Sequence, residues 1–236
     1  DSMLDRREAG EPVQYVLGHW SFRRLDLAVD RRALIPRPET EQVVEAALAE
    51  LDRVGGRERP TNVVDLGTGT GAIALSICVE RPRSRVWAVD VDAEAAALAR
   101  ANVAGLGRPG ARVTVVEGSW YEPLPAEVRG EVDLVVSNPP YVVAGAELPA
   151  AVRNWEPHRA LFAGPSGLDA VAEVLAGAPT WLRPGGAVVV ELDPAQVVEA
   201  LRLAEAAGLA ARSAPEAASG ADLAGRPRWV SARRPG

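Results

Sequence analysis

The stretch VVDLGTGTGA, residues 63–72, sets an apolar run against three glycines spaced two apart. Val63 to Leu66 read as a strand, and the apolar AIALSICVE that begins at Ala72 reads as a helix. Gly67, Gly69 and Gly71 fall at the junction, with Thr68 and Thr70 between them. Glycines there permit positive φ and bring the backbone close to a ligand at a helix N-terminus. The next strand, WAVD, ends on Asp90, about twenty residues on, where an acid accepts ribose hydroxyls. The pair points to an adenosine-containing cofactor at the C-terminal edge of a sheet. Gly67, Gly69 and Ala72 also fit the dinucleotide pattern G-x-G-x-x-A, so this region alone leaves NAD and S-adenosylmethionine both open. Asp92, beyond the strand end, reads as a helix N-cap.

Working outward, strand–helix alternation continues through RVWAVD, AEAAALARANVAGL, RVTVVEG, VDLVVS, LDAVAEVLAGAPTWL, AVVVEL, PAQVVEALRLAEAAGL and the closing strand RWVSARR. Uninterrupted Val-rich strands between amphipathic helices predict an α/β fold, a mostly parallel sheet covered on both faces. Residues 214–227 read as a loop. Ahead of the alternation, residues 1–38 form a separate lead: a short polar helix (LDRREAG), then QYVLGHWSFRRLDLAVD, whose two apolar runs flank Arg23 and Arg24 as a hairpin. Residues 39–236 then form the catalytic domain. In IPRPETE, the prolines stiffen the entry and Thr40 or Glu39 is placed to cap the helix that follows.

Composition narrows the chemistry. The chain has 236 residues, 47% of them hydrophobic, with 26 basic against 32 acidic residues and a net charge of −6. That balance argues against a broad nucleic-acid footprint. There is no lysine, which excludes a Walker-type phosphate lysine and a Schiff base. Cys78 lies in an apolar helical run and reads as core, and His19 and His158 are too scattered for a metal cluster. No segment approaches a membrane span, so a reducing cytoplasm is the expected location.

A second stretch carries the reaction. SNPPYVV, residues 137–143, closes the strand VDLVV with an asparagine, two prolines and a tyrosine. Pro139 and Pro140 donate no N–H, so the ladder stops and a stiff loop with free carbonyls faces the same cleft as the glycine turn. Asn138 adds a side-chain oxygen and Tyr141 a flat ring. Two acceptors and an aromatic plate suit a planar –NH2 group, whose delocalised lone pair makes it a poor nucleophile. Acceptors that favour a pyramidal nitrogen free that lone pair for attack on a sulfonium methyl, so catalysis is alignment plus electrostatic preorganisation.

With these residues in place, the chain resembles the HemK/PrmC family, protein-(glutamine-N5) methyltransferases that act on peptide chain release factors. GEPVQYVLGHWSF, DRRALIPRPETE, VVDLGTGTGAIALSI, EGSWYEPL, VVSNPPYV, WEPHRALFAGPSGLD and DLAGRPR carry the resemblance in the family's order. It implies a Rossmann-like class I S-adenosylmethionine-dependent methyltransferase with seven strands, the last antiparallel, behind the hairpin. It implies S-adenosylmethionine held by Gly67, Thr68, Gly69, Thr70 and Gly71, by Asp90 at the ribose, by Trp120 beside the adenine, and at the methyl end by Asn138. Asn138, Pro139, Pro140 and Tyr141 would hold the glutamine of a release factor's Gly-Gly-Gln loop, with Asn138, Pro139 and Tyr141 catalytic. Arg37 and Glu39 would line the cleft. Two departures stand out: the N-terminal helical domain usual in the family is missing from this sequence, whether removed or naturally absent, so 1–38 reads as its remnant linker, and Asp193 replaces the family's usual glycine.

Rival readings share parts of this pattern. A glutamine of a ribosomal protein presents the same amide. An adenine-N6 DNA methyltransferase shares the N/D-PPY loop but needs a basic groove and a target-reading region. A module that binds the cofactor without catalysis leaves Asn138 and Tyr141 without a task, and a dehydrogenase has no use for NPPY.

Overall fold

The computed structural model describes residues 2–213 and 227–236. A short helix α1 (Met3–Glu8), capped by Ser2, leads into a one-turn helix α2 (Val13–Leu17). The sequence pattern runs QYVL into the hairpin. Pro12 at the N-cap and Gly18, at φ 78° after the last turn, close it into helix instead. The hairpin follows as β1 (His19–Phe22) and β2 (Leu25–Ala28), with Arg23 and Arg24 at its turn. Helix α3 (Pro38–Arg53) starts with Pro38 in its first turn and Arg37 as N-cap, so neither Glu39 nor Thr40 caps it.

The body is built from β3 (Thr61–Leu66), α4 (Ala72–Glu80), β4 (Ser84–Asp90), α5 (Ala93–Gly105), β5 (Val113–Glu117), β6 (Val132–Ser137), α6 (Ala150–Trp155), α7 (Asp169–Trp181), β7 (Leu182–Glu191), α8 (Val197–Ala206), β8 (Ala210–Ser213) and β9 (Trp229–Arg233). The seven-stranded sheet runs β5-β4-β3-β6-β7-β9-β8; β9 is antiparallel to both β7 and β8, and the other pairs are parallel. This is the fold expected from the resemblance. Its seventh strand, β8, was not legible as a strand: AARS offers no apolar run and no alternation. Residues 214–226 of the expected loop, and with them most of DLAGRPR, lie outside the described residues.

The apolar runs are explained by two cores. Val63, Val86, Leu134, Val136 and Val189 face one side, against α3, α4 and the hairpin's Phe22, Leu25 and Leu27. Val64, Leu66, Val135, Val188 and Val190 face the other, against Val171, Val174 and Leu175 of α7 and Ala200 and Ala204 of α8. Strand side chains alternate faces, so burying both faces demands apolar residues at successive positions. Helix α4 is buried throughout residues 72–78, which makes Cys78 a core residue; its thiol donates to the Pro109 carbonyl. Among the described residues no helix is long and apolar enough to cross a membrane.

Candidate functional site

Parallel pairing of β3 with β6 matches Leu66 to Ser137, so the glycine turn and the SNPPY loop leave the sheet side by side. The Ser137 hydroxyl donates to the Leu66 carbonyl at 2.7 Å and locks that junction. A Cβ on Gly67 would stand 4.0 Å from the Asn138 carbonyl oxygen. The two sequence motifs therefore face one cleft, an open space of about 1150 Å³ counting the solvent at its mouth.

The turn takes the shape its glycines allow, with φ of 71°, 56° and 84° at Gly67, Gly69 and Gly71. Three side chains hold it. Asp90 Oδ2 accepts from the Gly69 N–H at 2.8 Å while its Oδ1 accepts from the Asp92 N–H at 2.9 Å. Asn102 donates to the Thr70 carbonyl at 2.9 Å and also bonds Ala28 of the hairpin in both directions. Asp65 Oδ2 accepts from the Thr68 hydroxyl at 2.6 Å and the Ala74 N–H at 3.2 Å. Asp65 is fully buried, which pushes its pKa up to about 7 against the pull of the Thr68 and Ala74 hydrogen bonds. Asp90 is shifted upward as well, first by burial, with its two backbone donors opposing. Asp92 is the N-cap of α5, accepting from the Glu94 N–H at 2.9 Å.

The sequence-derived residues divide plainly. Gly67, Thr68, Gly69, Thr70, Asp90, Trp120, Asn138 and Pro140 line the cleft; Gly71 sits behind them as the N-cap of α4. Trp120 takes a positive φ of 44°, packs partly against the α7–α8 core and also lines the cleft. Arg37 lines it too and pairs at 2.5 Å with Glu156, a buried carboxylate that also accepts the Ile35 N–H. Glu39 is not among the lining residues; Thr40, next on the first turn of α3, is.

Pro139 is buried, and Tyr141 reaches away from the cleft lining to donate its hydroxyl to Glu191 Oε1 at 3.3 Å. The Tyr141 carbonyl is occupied as well, accepting from Gln196 Nε2 at 2.9 Å. Loop carbonyls expected to be free for a ligand are thus fewer than the sequence suggested. Burial and the Glu191 carboxylate push the Tyr141 phenol well above its ordinary range, so it stays a donor. Beyond Tyr141 the chain pairs with the 161–164 segment through Val142, Ala144 and Ala163, which braces the loop.

Sequence reasoning missed Thr40, Glu191 and Gln196. Asn138 Nδ2 donates one of its two hydrogens to the Thr40 hydroxyl at 3.1 Å, which leaves Oδ1 and the second N–H of that amide for a ligand. Glu191 was visible as a lone acid ending an otherwise apolar strand, AVVVEL. Asp193, which departs from the family's glycine, causes no distortion: it caps the 194–196 turn in a reciprocal box with Gln196.

Comparison with known proteins converges on one family. The family model "Methyltransferase small domain" matches residues 47–155. The release factor glutamine methyltransferase of Cereibacter sphaeroides is 42% identical over 237 residues, which span 100% of this chain and 79% of that protein. The chain belongs to the release factor glutamine methyltransferase family. Its namesake from Xylella fastidiosa (strain 9a5c) is also 42% identical, across 100% of this chain and 81% of its own length. Among solved structures, a methyltransferase from Pyrococcus furiosus superposes with a TM-score of 0.63 at 16% identity, each chain covered completely, which shows a shared fold.

Proposed function

We propose that this chain transfers a methyl group from S-adenosylmethionine to the side-chain amide nitrogen of a glutamine in a peptide chain release factor. The observation that carries the reading is the register of β3 and β6, which sets Asn138 beside the glycine turn, with one Nδ2 hydrogen engaged by Thr40 and Oδ1 without a protein donor among the described residues. Family membership supplies the acceptor: the relatives at 42% identity are release factor glutamine methyltransferases.

The residues present fit the cofactor. Asp90 keeps acceptor capacity on both oxygens for ribose hydroxyls, since each already takes one backbone N–H and a carboxylate has about four lone-pair sites. Trp120 lines the same cleft, where an indole suits a purine, and the glycine turn offers backbone with no Cβ in the way. When bound, S-adenosylmethionine supplies an electrophilic methyl on a positively charged sulfur. The chain's own work is to hold the acceptor amide. Asn138 Oδ1 takes one of its N–H groups and a loop carbonyl the other, which favours the pyramidal nitrogen of the transition state over the planar ground state. The methylated nitrogen is acidic and loses its extra proton to water, so no general base is required of the chain.

Purified protein is expected to move labelled methyl from S-adenosylmethionine onto a release factor, and changing the target glutamine to alanine abolishes the signal. Label appearing on a ribosomal protein or on DNA in parallel reactions, with none on the release factor, assigns the enzyme to another acceptor. Asp90→Ala is expected to weaken cofactor binding about 10- to 100-fold by calorimetry, the worth of a charged hydrogen bond. Unchanged affinity would remove Asp90 from the cofactor site.

A further inference from the structure

Residues 32–37, between the hairpin and α3, form one wall of the cleft. Among the described residues, three arginines line that cleft: Arg32, Arg37 and Arg159. Two of them are turned to carboxylates at the cleft's edge. Arg32 gives Nε and Nη2 to Asp30, at 2.9 and 2.7 Å. Arg159 pairs at 3.2 Å with Asp92, just past the end of β4, on the side where Asp90 stands. Arg37 stands on the other side. It is the N-cap of α3, and Thr40 in the first turn of that helix bonds Asn138, which follows β6.

Arg37 also differs in how it is held. Among the described residues its hydrogen-bond acceptor is Glu156 Oε1, reached through Nη2 at 2.5 Å. A guanidinium is a planar fork of donors, so Nη1 and Nε are left over. Neither is buried; the side chain keeps 31% of its surface and lines the cleft. Glu156 is the opposite case, with a side chain 1% exposed and a second oxygen that accepts the Ile35 N–H at 3.2 Å. Both of its oxygens are therefore engaged by the wall, one by its backbone and one by Arg37. Glu156 cannot follow a wandering arginine. Trp155 before it packs on the α3–α4 core beneath the Arg31 guanidinium, and Pro157 after it lines the cleft. The result is a guanidinium fixed at one end, with its other donors open to the cleft.

We propose that Arg37 receives the carboxylate of the cofactor's methionine, and that Glu156 is the positioning residue that aims it. The inference rests on S-adenosylmethionine as the cofactor, which carries its ribose and its amino acid on opposite sides of the sulfonium. A ribose held at Asp90 leaves the amino-acid end for the α3 side of the cleft, where Arg37 stands. A carboxylate taken from water needs charge-assisted donors in return, and the edge of a guanidinium meets both of its oxygens. One guanidinium serves two carboxylates because each takes a different edge of the fork.

The test is calorimetric and needs no acceptor. The full chain is titrated with S-adenosylmethionine, with its decarboxylated analogue, which keeps the sulfonium and the amine, and with methylthioadenosine, which lacks the amino acid. Wild-type protein should bind S-adenosylmethionine about 10- to 100-fold more tightly than the decarboxylated analogue, the range for a charged hydrogen bond. In Arg37→Gln that ratio should collapse toward one, while methylthioadenosine binds as before. A loosened wall would weaken all three ligands together, so the ratio separates recognition from structural damage. Arg37→Gln leaves Glu156 buried without its cation. The double variant Arg37→Gln/Glu156→Gln removes both charges and should fold; it too should bind the two sulfonium ligands alike. Glu156→Gln alone should lower the ratio part of the way, because the guanidinium loses its anchor but not its charge. A wild type that binds the two sulfonium ligands equally, or a double variant that keeps the wild-type ratio, would overturn the inference and leave the proposed function standing. An unchanged ratio in Glu156→Gln would overturn the positioning role. A wild type that does not bind S-adenosylmethionine at all would sink the proposed function, and this inference with it.

Discussion

Asn138→Ala is expected to lower the turnover of methyl transfer about 100-fold or more, the cost of deleting one preorganised polar group at a reacting centre. Cofactor affinity should change far less, because the glycine turn and Asp90 are held by Asp65, Asn102 and Asp92 with no contribution from Asn138. The fold should tolerate the change. What is lost is a neutral hydrogen bond to Thr40, worth about 1 kcal/mol. Single-turnover rates with saturating release factor separate chemistry from binding, and calorimetry reports the cofactor. Losses of similar size in both measurements would mean that Asn138 serves cofactor binding rather than the acceptor amide.

This division of labour was partly legible in the sequence because its two halves rest on different kinds of signal. The glycine turn and Asp90 are local: a strand, three glycines and an acid at the next strand's end, each decided by backbone geometry within about twenty residues. Strands β3, β4, β6 and β7 were legible because both of their faces are buried, which forces apolar residues at consecutive positions. Strand β8 has an Ala-rich sequence at the sheet edge, so the same physics left no mark on it. The fine structure of the site depends on contacts between distant residues. Asn138 meets Thr40 at a separation of 98 residues, Tyr141 meets Glu191 at 50, and Gln196 meets Tyr141 at 55. No spacing rule reports such pairs. The sequence offers Thr40 or Glu39 as the cap because such residues near a helix start commonly serve as one, yet Arg37 takes the cap position and Thr40 meets Asn138 instead. Tyr141 was read as a plate facing the ligand; its hydroxyl goes to Glu191 because a buried carboxylate needs a donor. Local chemistry named the residues, and long-range packing decided which way each one points.

Pointing can be tested from outside the cleft. Gly167 lies in the GPSGLD segment, at φ 72°, against the back of the SNPPY loop. A Cβ there would stand 2.4 Å from the Tyr141 carbonyl oxygen and 2.5 Å from Gln196 Nε2, inside the hydrogen bond that clamps one to the other. Gln196 cannot retreat freely, since Nε2 also donates to the Ser166 carbonyl at 3.2 Å and Oε1 accepts the Asp193 N–H at 3.1 Å. The loop backbone must therefore shift. Gly167→Ala is expected to lower kcat on the order of 100-fold, the effect of a displacement of about 1 Å in a positioning element. The glycine turn is untouched, so cofactor affinity should hold. Alanine at positive φ also strains the backbone, and Gly208→Ala isolates that contribution: Gly208 has φ 81°, nothing within 4 Å of an added Cβ, and no contact with the loop. Both variants should melt earlier than the wild type, but only Gly167→Ala should lose turnover. If Gly167→Ala keeps wild-type kcat, the SNPPY loop does not need its clamp, and alignment of the acceptor amide must come from the substrate protein rather than from this chain.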